Sequence, residues 1–304
     1  MIVPKTPQVM RMAAYVGKPL LLLALYDVAV VVAYQVLHWD WVALPHIPLA
    51  LYGSAIGVIL GFRNNSAYGR WWEGRTLWGA IVNNSRSWAR QVTTSMRPLR
   101  ADETGAMKAM QVRMLHLQIA YVHALRQQLR GLSPWEEIER VLPESKIGTL
   151  REAKNPAVAL QQKMGMLLGG CLDREWISEL QWRAMDESLN DLADAQGGAE
   201  RIKNTPMPKQ YDYFPQLFVH IYCAMLPLAL VTNMKWFTPL GSTLVGFIFL
   251  ALDKIGRDLE DPFDNTIYDV PLTAITKMIE TNLRQTLGET ELPEAEVAVR
   301  GVLW

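Results

Sequence analysis

The sequence predicts an all-α membrane protein, and three observations carry that expectation. Four apolar stretches approach the length of a membrane-spanning helix. Between them, apolar residues recur at a helical period, and no run alternates in the manner of a strand. Half of the 304 residues are apolar and 20% are charged, which excludes intrinsic disorder. Twenty glycines and 17 prolines without a period exclude a collagen-like fibre. Thirty basic residues balance thirty acidic ones, so there is no electrostatic footprint for nucleic acid, and none is expected as a partner. Cys171 and Cys223 are too few for a disulfide scaffold and lack metal-ligand spacing.

The membrane helices are expected at about 19–37, 47–63, 214–231 and 236–252. The first is interrupted by Asp27 and Gln35, the second is free of charge until Arg63, the third carries His220 and two prolines, and the fourth has no charge. Buried helices of a large soluble core share this hydropathy and are the alternative. A secretory signal peptide fits poorly, because no small-residue cleavage site follows the first stretch and three more stretches come later.

Loop charges set the orientation. Segment 38–46 has no Lys or Arg and segment 232–235 has one. Lys5, Arg11 and Lys18 precede the first stretch, the middle region is rich in Arg, and Lys254 and Arg257 follow the fourth. The positive-inside rule puts both termini and the middle region in the cytoplasm. Trp39, Trp41 and Trp236 then fall at an outer aromatic belt.

The middle region, about 64–212, reads as a helical cytosolic body, and 253–304 as a cytosolic C-terminal tail, all within a single subunit of residues 1–304. Helical periods run through 71–92, 107–129, 157–171 and 176–195. Ser133-Pro134-Trp135-Glu136 has the pattern of a helix start, with Ser133 as N-cap and Pro134 in the first turn.

Catalytic chemistry is hard to find. Gly17-Lys18 lacks the context of a phosphate loop. His116 and His123 lie seven apart without a ligand set, which favours packing or surface roles. The serines lack a nucleophile-elbow pattern. The chain is not expected to be an enzyme.

Gly53, Gly57 and Gly61 are spaced by four and form a small-residue ridge that lets helices approach closely in lipid. Ser54, Val58 and Phe62 form a second row beside it. Such a helix suits the lining of a symmetric pore, packing through the glycines and presenting the adjacent row to the axis. An ordinary transmembrane dimerisation face accounts for the spacing equally well.

Gly61-Phe62-Arg63-Asn64-Asn65-Ser66-Ala67-Tyr68-Gly69-Arg70-Trp71-Trp72-Glu73, then Leu77-Trp78-Gly79, resembles the bestrophin family, especially its bacterial branch. Glu200-Arg201-Ile202-Lys203-Asn204-Thr205-Pro206-Met207-Pro208 is similar to the family stretch before the third membrane helix. Leu259-Glu260-Asp261-Pro262-Phe263 is similar to the motif after the fourth. The resemblance implies a homopentameric ion channel, each chain joined by four identical subunits in a lipid bilayer, the bacterial inner membrane. It implies a hydrophobic neck at Ser54, Val58 and Phe62 and a cytosolic aperture at Leu180. Ser54 departs from the family's larger apolar residue and should widen the outer neck.

The resemblance also raises calcium, which animal bestrophins hold with an acidic run. Here Thr266, Ile267 and Tyr268 replace most of that run, leaving Asp261, Asp264 and Asp269 as a vestigial site. No cofactor is therefore expected. The passing ions are expected to be chloride and other small anions, which the positive edges of Phe62 would favour. A sodium channel of the same fold and a non-conducting membrane scaffold are the alternatives. Asp27, costly in lipid, is expected to pair with a neighbouring helix.

Overall fold

The computed structural model describes residues 1–2, 15–143, 148–299 and 301–304. The fold is all-helical, 77% helix, and the described residues contain no strand, only isolated bridges joining Val302 to Ile2 and Val299. The helices are α1 (Gly17–Gln35), α2 (Leu49–Ser95), α3 (Thr104–Leu129), α4 (Trp135–Val141), α5 (Pro156–Asp173), α6 (Glu179–Asn204), α7 (Lys209–Met234), α8 (Thr238–Glu260) and α9 (Leu272–Leu287). They divide into two compact units. One has described residues within 15–71 and 206–261, and the other has 1–2 and those within 72–205 and 262–304.

In the first unit α1, α7 and α8 pack on one another. Helix α1 is apolar all round, burying Leu23, Val30 and Val31 while exposing Leu21, Leu22 and Leu25, as a helix surrounded by lipid and protein does. Its close approach to α8 depends on Gly246, where a Cβ would lie 2.2 Å from Leu23 Cδ2. Asp27 is fully buried, and Ser242 Oγ and Thr243 Oγ1 on α8 each donate to it at 3.0 Å. The carboxylate is thus held by a neighbouring helix.

Helix α2 does not end where its apolar stretch ends. It continues unbroken for 47 residues, a length of ~70 Å at 1.5 Å per residue. The segment contains no proline, and the polar residues that close the apolar stretch, Arg63 and Asn64, bond to α7 and α8 instead of unwinding the helix. Helix α7 tolerates Pro215 and Pro227, and α8 runs two turns beyond Leu252.

In the second unit α3 is the central helix, packed by α4, α5, α6 and α9. Met114, Leu115, Leu117, Ile119 and Leu125 are wholly or almost wholly buried. The C-terminal segment supplies part of this core. Leu272, Ile275, Ile279 and Leu283 on α9 recur every three or four residues and are buried, and α9 ends at Gly288 with φ 77°, a left-handed C-cap. Two helix starts are corrected. Helix α4 begins at Trp135 rather than Pro134, with no side-chain cap from Ser133, because its first turn closes on the Pro134 carbonyl (Ile138 N, 3.1 Å). Helix α6 begins at Glu179, where Ser178 and Gln181 form a capping box.

Candidate functional site

The face of α2 that carries Ser54, Val58 and Phe62 is defined by the face that is buried. Ile56, Leu60, Arg63 and Ala67 are buried at helical spacing. Residues two positions away point about 200° round the helix. Val58 and Phe62 are accordingly 59% and 65% exposed, and Ser54 is exposed with its hydroxyl donating to Ala50 O at 2.8 Å. The glycine ridge is split in its use. A Cβ at Gly53 would lie 2.7 Å from the Tyr222 hydroxyl, so α7 requires glycine there. Gly57 and Gly61 have nothing within 4 Å of a Cβ and are open to approach.

Immediately after Phe62, Arg63 ties α2 to its neighbours. Its side chain is 1% exposed; Nη1 donates to Asp253 Oδ1 at 2.9 Å and to Asp253 O at 3.0 Å, and Nη2 donates to Asp212. Asn64 Nδ2 donates to Leu252 O at 2.9 Å, and Arg257 Nη2 meets the second Asp253 oxygen at 2.8 Å. Gly256 makes room, since a Cβ there would lie 2.3 Å from Asn64 Oδ1. One helical turn thus presents an apolar ring residue and anchors it with a buried ion pair. Sequence reasoning did not assign Arg63, Asp212 or Asp253 a role. The available signal was a charged residue closing an uncharged stretch.

Leu180, in the other unit, sits in the first turn of α6 and is 82% exposed. The capping box holds it in place, and Gln181 Nε2 donates to Ser95 O at 3.1 Å. The three acidic residues of the supposed calcium site have separate engagements. Asp261 occupies the C-cap position of α8, and its Oδ1 is buried without a hydrogen-bond partner among the described residues. Asp264 pairs with Lys203. Asp269, 2% exposed, accepts from Thr266 N at 3.0 Å and from the Thr266 hydroxyl. Burial pushes the Asp269 carboxyl above the usual range, although the Thr266 bonds oppose this. Calcium takes six to eight oxygens. Among the described residues no group of three or more His, Cys, Asp or Glu side chains is placed to hold a metal.

The two histidines of α3 each face a carboxylate. His116 Nε2 lies 2.7 Å from Glu289. His123 is 1% exposed and its Nε2 lies 2.7 Å from Glu280, which also accepts from Arg140 at 2.7 and 2.9 Å and from Arg284 at 2.9 Å. Arg126 bridges to Glu137, whose other oxygen is 3.7 Å from His123 Nδ1. Burial would raise the Glu280 carboxyl, but Arg140 and His123 outweigh it and hold the group well below the usual range. Burial pushes His123 below the ordinary imidazole value of 6.5, Arg126 adding to this and Glu280 opposing it. The unfolded chain therefore binds this proton more readily than the folded one, and stability falls as pH drops below about 6.5. Glu280 adds a further loss only below about 4.3, where the unfolded carboxyl takes its proton. Thermal unfolding of the whole protein between pH 7 and pH 5 should show the first loss, and His123→Gln should flatten it. An unchanged slope in that variant would remove His123 as the cause.

Gly17–Gln35 and the run Lys209–Glu260 are each long and apolar enough to cross a bilayer. Residues 10–285 match the model of the bacterial/fungal bestrophin protein family, and the chain belongs to that family. It is 34% identical over 250 residues to the voltage-dependent anion channel-forming protein YneE of Salmonella typhi, covering 82% of this chain and 79% of that one. It is also 34% identical over 278 residues to the voltage-dependent anion channel-forming protein RSc3414 of Ralstonia nicotianae, covering 88% and 85%. Among solved structures, a bacterial bestrophin homologue from Klebsiella pneumoniae matches with TM-score 0.82 and 31% identity, over 90% of this chain and 98% of that one. Membership marks the protein as a membrane channel protein rather than an enzyme.

Proposed function

We propose that the chain forms a homopentameric channel for chloride and other small anions, with Ser54, Val58 and Phe62 as the neck and Leu180 as the cytosolic aperture. The observation that carries this reading is the exposed Val58–Phe62 row on a helix whose opposite face is buried and locked by Arg63. A row of apolar side chains held outward on a rigid helix has a use when copies of it close around an axis, where it gates by dewetting. Gly57 and Gly61, open on the same helix, would take the neighbouring copy. In this arrangement four helices span the bilayer, both termini are cytoplasmic, and the exposed Trp39, Trp41 and Trp236 mark the outer interface.

Anions are favoured because the row carries no carboxylate and Asp27 is enclosed by Ser242 and Thr243. The channel-forming names of the relatives agree with this. Reversal potentials in asymmetric salt test the reading. A shift toward the chloride potential supports it, a shift toward the sodium potential makes it a cation channel, and no current makes it a scaffold. Native mass spectrometry in mild detergent should give five times the 34.4 kDa chain mass. A monomer or dimer would sink the pore.

Calcium has no part in this proposal, since Asp264 and Asp269 are engaged by Lys203 and Thr266. Current should be unchanged when micromolar calcium is chelated. A steep loss restored by calcium would show that these aspartates rearrange into a ligand set.

A further inference from the structure

The first unit contains a cavity of about 350 Å³ at the start of α1, lined by Tyr15, Lys18, His220, Leu250, Lys254 and Arg257 among others. No carboxylate is among its described lining residues. Two of the cations are paired with carboxylates that do not line the cavity. Tyr15 donates its hydroxyl to Asp258, whose other oxygen is 3.6 Å from Lys254 Nζ, and Lys254 lies 4.8 Å from the Tyr15 ring centroid. Arg257 is held by Asp253 at 2.8 Å. Lys18 is different. It occupies the first turn of α1, which has no acidic residue, and a cation at a helix N-terminus opposes the helix dipole. Its charge therefore works against the helix that carries it.

The surface beside the cavity is apolar. Leu21, Leu22 and Leu25 are 61%, 67% and 60% exposed and share the flank of α1 that carries Lys18, three, four and seven residues on. Cations gathered at the foot of an exposed leucine wall match a phosphodiester headgroup with its acyl chains alongside. We propose that this cavity binds the phosphate of an anionic phospholipid from the leaflet at the Lys18 end. The inference rests on the reading that this unit spans the bilayer. Juxtamembrane basic residues draw on the negative potential of such a leaflet, and a pocket between helices converts that general attraction into a site.

The test uses the full chain in mild detergent, with native mass spectrometry of lipid adducts after adding phosphatidylglycerol or phosphatidylethanolamine. The wild type should retain phosphatidylglycerol preferentially, and Lys18→Gln and Lys254→Gln should each weaken retention about fivefold. An unchanged oligomeric mass certifies each variant as folded. Lys18 is exposed, so its variant remains informative if Lys254→Gln misfolds. Equal retention of the two lipids, or retention indifferent to Lys18→Gln, overturns the proposal. Displacement of the lipid by millimolar inorganic phosphate alone assigns the site to soluble phosphate and overturns the lipid. Retention is read without any current, so a protein that keeps the lipid but passes no ions loses its channel reading and not this site.

Discussion

Phe62→Ala is expected to raise conductance or open probability by about tenfold, because lowering the barrier to an ion by only ~1.4 kcal/mol has that effect. In the proposed pentamer, each substitution removes five aromatic rings from one ring of the pore. Phe62 is 65% exposed in the chain, so its loss leaves the buried face of α2 at Ile56, Leu60 and Arg63 in place. Water then enters a segment that was dry, and the barrier falls for ions of either sign. Val58→Ala should act in the same direction and less strongly, since it deletes fewer carbons. Selectivity should change little in both. Leu180→Ala should instead alter which ions are preferred, because Leu180 would form its own ring close to the charged Glu179 and Arg183. Single-channel recording of the three variants in matched bilayers is the measurement. Unchanged conductance and gating in Phe62→Ala would remove this row from the pore.

Arg63→Ala is expected to cost about 3–5 kcal/mol of folding stability, the usual penalty for breaking a buried ion pair from one side. Asp253 has no exposed surface and would keep only Arg257. The loss should appear as a lower unfolding temperature and a smaller yield of assembled protein. Arg63→Lys should recover only part of it, since an ammonium cannot reproduce the fork that reaches Asp253 Oδ1, Asp253 O and Asp212 together. Arg63→Met combined with Asp253→Leu should recover more than either single change, because no buried charge is then left unpaired. If Arg63→Ala unfolds at the wild-type temperature, the pair does not anchor the turn that presents Phe62.

The all-helical class, the apolar stretches and the family motifs were legible in the residues because each depends on local order. A run of apolar residues or an i, i+4 spacing is the same before and after folding. The row Ser54, Val58 and Phe62 was legible for that reason, as was the Gly53, Gly57 and Gly61 ridge. Their different environments were not. Only the packing shows that Gly53 meets Tyr222 while Gly57 and Gly61 stay open. Nor does spacing tell that α2 carries on through Arg63 to Ser95, since a charged residue after an apolar stretch normally marks the edge of a span. Arg63 stays inside the helix because Asp212 and Asp253, more than 140 residues away, supply its counter-charges. The same holds for Asp27, satisfied by hydroxyls at 242 and 243, and for α9, which the sequence leaves within a C-terminal tail and which packs on α3. Helix formation and hydropathy are local and were determined by the sequence itself. The partners of buried charges and close-approach glycines come from distant segments, and only the tertiary structure decides them.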